Sequence, residues 1–274
     1  VGVSAAVLAV TVTAGVAPSR RRVVGAALML WFAALLTAGA AGAFAGERPL
    51  LVGVGAATPL LAAAIATVVW PALRAGLDRV PLPALIAVHA VRGFGAFFVL
   101  LYAGGRMSGP FGPVAGWGDV AAAVAAPLVA WFAARKVPSW HAIVLGWNAL
   151  AMTDLFVAVG LGITSAPGSP LRLFEGDPGT ALMGSLPWVL IPTFIVPLLV
   201  LIHVAVFRRV TAAAPVRRPS PSAVAAPESS PDGRVVEPHI PAHGNDRERA
   251  PPGRGKPGGD NRPIPLHATE ASRP

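Results

Sequence analysis

The sequence predicts an all-α fold: a polytopic membrane helix bundle of about seven transmembrane helices. Three observations predict it. Hydrophobic residues make up 54% of the 274 positions and charged residues only 13%, where a soluble domain carries roughly 25% charged residues. Apolar runs of the length needed to cross a bilayer, about 20 residues at 1.5 Å each, follow one another from the start of the chain. The composition then changes abruptly after Arg209. The mean hydropathy is +0.62 even with that polar tail included.

Taken in order, the predicted spans are 1–17, 23–44, 50–72, 84–103, 113–134, 140–163 and 186–207. The first is the shortest. A cleaved signal peptide carries its positive charge before the apolar stretch. Here Arg20, Arg21 and Arg22 follow it, which predicts an outside N-terminus and cytoplasmic arginines. Later loops agree. Arg74, Arg79, Arg135, Lys136, Arg208 and Arg209 fall on the same predicted side as Arg20–Arg22, and only Arg48, Arg106 and Arg172 fall on the other. Nine against three, alternating loop by loop, follows the excess of basic residues in cytoplasmic loops and places the C-terminus inside. Trp70, Trp131 and Trp140 fall at the basic boundary and Trp117 and Trp188 near the other, the depth an amphipathic indole favours. Pro59 and Pro127 interrupt two spans, and Pro192 and Pro197 interrupt the last. Each removes a backbone donor and frees a carbonyl one turn earlier. Such carbonyls coordinate ions in some transporters, but a kink satisfied by a neighbour is the commoner outcome.

Two domains follow: a transmembrane bundle over 1–209 and a Pro/Arg-rich cytoplasmic tail over 210–274. The tail holds 13 of the 29 prolines, nine basic and seven acidic residues, and no Phe, Trp or Tyr. It lacks the apolar surface to offset its ordering entropy, so disorder is expected.

Several chemistries are excluded. There is no cysteine, hence no disulfide, zinc–thiolate site, Fe–S cluster or thiol nucleophile. Retinal needs a lysine Schiff base inside the bundle, and the two lysines, Lys136 and Lys256, lie in a loop and in the tail. No Gly-x-Ser-x-Gly, Walker A or His-Glu-x-x-His string occurs. The net charge of +9 is mostly loop arginine with a lightly basic tail, which suits anionic headgroups better than nucleic acid. No cofactor is expected, the bilayer is the expected partner, and nothing specifies a protein partner or an oligomer. The scarcity of lysine beside abundant Ala, Gly, Pro and Arg indicates GC-rich coding DNA and a bacterial plasma membrane.

The candidate site is polar and intramembrane. Arg92, Asp119 and Asp154 are charged residues inside predicted spans, with His89, Asn148 and His203. A charge at membrane depth costs about 2.5–3.5 kcal/mol on insertion scales, so such residues face the interior and pair. The helical rise places Arg92 about 12 Å from the basic edge, and Asp119 and Asp154 each about 9 Å from the opposite one. A long arginine can reach upward to either carboxylate. The cluster either pins three helices or forms a substrate- or ion-binding site of Arg92, Asp119, Asp154 and Asn148, with Arg92 as counter-ion or anion ligand and the aspartates as proton or cation acceptors. Asn148, near mid-membrane, also reads as an interhelical hydrogen bond that sets register. His89 and His203 fall at one depth on different helices and could ligate a metal or haem iron, although packing histidines read the same way. His141 reads as an interfacial residue. Gly112 and Gly116 form a small-xxx-small pair suited to close helix contact.

Two resemblances follow. Gly116-Trp117-Gly118-Asp119 resembles the Gly-x-Gly-Asp motif of intramembrane aspartyl proteases, which implies catalytic roles for Asp119 and Asp154. Pro83-Ala84-Leu85 matches their Pro-Ala-Leu motif, but precedes both aspartates, lies at the opposite membrane face, and recurs at Pro71-Ala72-Leu73. More broadly, Arg92, 112–119, Trp147-Asn148, Asp154-Leu155 with Ala158, Leu190-Ile191-Pro192, and Pro197 with His203 resemble an uncharacterised family of bacterial multi-pass integral membrane proteins. That resemblance implies a bundle with a shared polar site and no particular reaction. A non-catalytic membrane subunit or sensor is the third reading.

Overall fold

The computed structural model describes residues 1–46 and 48–213, with residues 63 and 66–68 described by backbone alone. Among these the protein is all-helical, with no strand. The helices are α1 (Gly2–Ala14), α2 (Pro18–Ala40), α3 (Pro49–Val69), α4 (Pro71–Arg79), α5 (Leu82–Ala103), α6 (Phe111–Arg135), α7 (Trp140–Thr164) and α8 (Ile191–Ala213). Prolines set several of the starts. Pro18, Pro71 and Pro83 sit in first turns, where the missing N–H costs nothing and the fixed φ suits a helix. Lys136, left-handed at φ 48°, closes α6.

Each of the seven predicted spans contains a helix. Five are long and apolar enough to cross a membrane: α2, α5, α6, α7 and α8. The shorter apolar helices are α1 and the stretch Pro49–Ala62 of α3. With 13 residues, α1 is about 20 Å long, short of a hydrocarbon core of about 30 Å. The sequence did not foresee α4, a short amphipathic helix at the basic end. The predicted tail boundary also moves. Residues 210–213 continue α8, and 214–274 lie outside the described residues.

α8 is the central helix, buried over most of its length, and α2 is the most exposed. α6 packs between α5 and α7, while α8 packs against α3, α7, α1, α4 and α5. Leu8 and Leu85 join Ile195, Leu199 and Ile202 of α8 in the core. Facing outward are Leu30 (72% exposed), Val124 (74%) and Leu150 (75%). Contiguous apolar surface of this kind is a liability in water and the expected exterior in lipid.

Two helices depart from α geometry where function residues or prolines fall. The middle of α5, Val88–Gly95, is a 3₁₀ stretch. At three residues per turn its i, i+3 side chains eclipse, which stacks His89, Arg92 and Gly95 in one line. α8 opens with a π turn over Ile191–Ile195. Pro192 cannot bond the Trp188 carbonyl, and the Ile191 N–H donates to it instead, at 2.9 Å. The carbonyl that Pro192 frees is thus satisfied within the chain.

The basic loops gather at one end of the bundle. Arg21 donates to the Ala14 carbonyl (2.9 Å) and Arg79 to the Gly15 carbonyl (3.3 Å). Arg208 pairs with Asp78, Arg209 donates to the Val80 carbonyl, and Arg20 lies 5.9 Å from the Trp70 ring centroid. At the other end, Ser108 links the 104–110 turn to the 165–184 loop. Its Oγ–H donates to the Gly176 carbonyl (2.7 Å), and its Oγ accepts from the Gly179 N–H (2.7 Å).

Candidate functional site

Arg92 is fully buried on the 3₁₀ stretch of α5, and its guanidinium joins three helices. Nε–H donates to Asp119 Oδ1 on α6 at 2.6 Å. Nη1–H donates to the Ala151 carbonyl on α7 at 2.8 Å. Nη2–H donates to Asp154 Oδ2, also on α7. Ala151 and Asp154, three residues apart, share one helix face, so α7 offers a carbonyl and a carboxylate together. The side chains of Asp119 and Asp154 are 7% and 19% exposed. Of the Asp119 oxygens, Oδ2 accepts no hydrogen bond from a described residue.

The sequence placed Arg92 below both carboxylates at α-helical rise. The 3₁₀ stretch rises about 2.0 Å per residue instead of 1.5 Å, which extends α5 and carries Arg92 toward the aspartates. Glycine lets the helices close around it. A Cβ at Gly95 would collide with Asp119 Cβ, and one at Gly118 would collide with the Asp154 carboxylate. A Cβ at Gly116 would stand 2.6 Å from Val99 Cγ2, and one at Gly112 would stand 2.7 Å from Tyr102 Cβ. The predicted small-xxx-small pair thus lies against the far half of α5. In Gly116-Trp117-Gly118-Asp119 the two glycines act as clearances for helix contact and for the carboxylate of Asp154.

His89, Asn148 and His203 form a second group on the basic-end side of Arg92. The His89 and His203 ring centroids are 4.1 Å apart. His89 Nδ1 lies 3.0 Å from the Leu85 carbonyl and 3.3 Å from that of Ile86. Since a carbonyl only accepts, Nδ1 carries the proton. Asn148 Nδ2 donates to the His203 backbone carbonyl (3.2 Å), which turns Asn148 Oδ1 toward His203 Nδ1 at 2.8 Å. His203 therefore also carries its proton on Nδ1. Both Nε2 atoms are buried without a protein partner and present lone pairs. Trp147 closes the group, its ring 5.2 Å from His89 and 5.9 Å from His203. Among the described residues no group of three His, Asp or Glu side chains is arranged to hold a metal. Asn148, also counted with the ion site, makes the expected interhelical hydrogen bond, which goes to His203 and fixes its tautomer. His141 stacks on Trp140 at 3.7 Å, away from both groups.

An apolar cavity of about 120 Å³ reaches the cluster from the end that carries the 165–184 loop. Phe94, Phe98, Phe111, Leu155 and Val196 line it, and Asp119 lies in its wall. Sequence reasoning missed this cavity, the Ala151 carbonyl and Gly95. A backbone acceptor has no sequence signature, although the Arg92–Gly95 spacing of three was available.

Residues 49–211, more than half of the chain, match a domain of unknown function (DUF8737), and the chain belongs to that family. The match takes in α3 to α8 and every residue of both polar groups. No curated protein and no solved structure matches the chain.

Proposed function

We propose that the protein is a bacterial plasma-membrane protein that crosses the bilayer seven times, N-terminus outside, and handles protons together with a small solute at the Arg92–Asp119–Asp154 cluster. One observation carries this reading: a single buried guanidinium faces two carboxylates. With both carboxylates ionised the cluster has one surplus negative charge. In an apolar bundle that surplus is costly, so the site favours one bound proton or monovalent cation. Releasing it restores the surplus, and alternation between those states is what a coupled site requires. Arg92 is the fixed counter-ion. Asp154, whose side chain retains 19% exposure, is the group that exchanges with the surroundings.

The aspartyl protease reading has less support. That chemistry needs two carboxylates sharing one proton across a water. Here each carboxylate gives one oxygen to the same guanidinium, so the two are bridged by Arg92 and not by a shared proton and water.

The test is proton movement. Full-length protein reconstituted in vesicles that enclose a pH-sensitive dye is exposed to an external acid pulse. Faster acidification than in empty vesicles is expected, and loss of that excess in Asp119→Asn and in Asp154→Asn. Wild-type vesicles no faster than empty ones would overturn the proposal, as would variants that match the wild type.

A further inference from the structure

The cavity that ends at Asp119 combines three features: apolar walls, aromatic rings and a carboxylate oxygen without a protein donor. Its lining residues are apolar or glycine except Asp119 and Thr180. The Thr180 hydroxyl already donates to the Gly162 carbonyl at 2.8 Å. Asp119 is 5% exposed, gives Oδ1 to Arg92 and leaves Oδ2 without a donor among the described residues. A carboxylate oxygen in an apolar cavity is costly until a donor reaches it. Val52 and Ala56 of α3 and Ala158 and Val159 of α7 line the cavity and are half-buried, so it opens to the exterior and a ligand can enter.

We propose that this cavity binds an aryl- or alkyl-ammonium: a lipophilic ligand with a protonated primary or secondary amine that donates to Asp119 Oδ2. The size limits the ligand: an apolar cavity of about 150 Å³ accepts a benzene ring, and this one measures about 120 Å³, so it takes a slender ligand whose far end extends through the opening. The charge fits as well, because an ammonium cancels the surplus negative charge of the cluster. The aromatic walls select the same class. The Phe98 ring centroid lies 6.0 Å from that of Phe94, edge-on, and 5.3 Å from that of Phe111, tilted, and ring faces attract a desolvated cation. A carboxylate-bearing lipid would meet like charge, and an alcohol would donate a hydrogen bond but leave the charge uncancelled. The inference rests on the proposed cluster function and names its solute.

The experiment uses full-length protein in detergent micelles and radiolabelled 2-phenylethylamine, with 2-phenylethanol as the neutral probe of similar shape. Equilibrium dialysis against protein-free micelles measures binding. Saturable one-to-one binding of the amine is expected, weaker by about tenfold or more for the alcohol and for the amine on Asp119→Asn, the scale of a charge-assisted hydrogen bond. A second variant, Ala158→Phe, fills the cavity wall and keeps all three charged residues. It should weaken the amine by a similar factor. No saturable amine binding above the micelle background would overturn the proposal. So would wild-type affinity in either Asp119→Asn or Ala158→Phe. An acid-pulse response without amine binding sinks this inference alone, whereas amine binding without an acid-pulse response sinks the proton reading.

Discussion

Arg92 neutralises two carboxylates on two other helices, so its removal strands both. Breaking a buried ion pair by deleting one partner costs about 3–5 kcal/mol. Arg92→Met should therefore destabilise the bundle by that order in denaturation followed in detergent. Arg92→Met combined with Asp119→Asn and Asp154→Asn should recover most of the loss, because no charge then remains unpaired. An Arg92→Met protein as stable as wild type would mean that water or lipid headgroups reach the aspartates. The triple variant also separates two roles: a structural pin predicts restored stability with an unchanged acid-pulse response, a site predicts restored stability alone. The residues of this cluster were legible because a charge in an apolar run has to be paired. Their partners were less so. Asn148 was legible as an interhelical hydrogen bond, but only the geometry names its partners, the backbone carbonyl and Nδ1 of His203.

At the scale of the helix, clearance decides whether the cluster assembles. Gly118 gives the Asp154 carboxylate its space, and Gly95 does the same for Asp119. Gly118→Val should force α6 and α7 apart and cost about 1–3 kcal/mol, the usual range for overpacking. Gly146→Ala is the control, since a Cβ there meets nothing within 4 Å. It should be neutral or stabilising by up to about 1 kcal/mol from helix propensity. Equal losses in the two variants, read from thermal unfolding in the same detergent, would count against a specific clearance. Helix positions were readable from the apolar runs, and five of those helices are long and apolar enough to cross a membrane. The 3₁₀ stretch and the π turn were not readable. A 3₁₀ segment satisfies the same apolar pattern as an α segment, and a proline marks where a ladder breaks but not how the bond is replaced. Here the Ile191 N–H takes the Trp188 carbonyl.

For the whole molecule, the arrangement of charge supplies the orientation argument. The 14–22, 70–80 and 208–209 segments meet at one end through arginine contacts, and the 104–110 and 165–184 loops meet at the other. In the proposed topology the first end, with its excess of basic residues, is the cytoplasmic one. The family match begins at residue 49, so α1 and α2 lie outside it, and α1 is short enough that its crossing is a separate question. Because the chain has no cysteine, a single introduced thiol reports without background. Arg106→Cys should react with a membrane-impermeant maleimide added to intact cells. Arg74→Cys and Lys136→Cys should react only after the membrane is opened. Labelling of Arg74→Cys from outside would invert the bundle. A thiol at Gly2→Cys then decides the first helix. Reaction from outside means that α1 crosses, as the seven-span reading requires. Protection until lysis, with Arg106→Cys still labelled, leaves an even number of crossings and places α1 as a helix tucked against α4 and α8 at the cytoplasmic side.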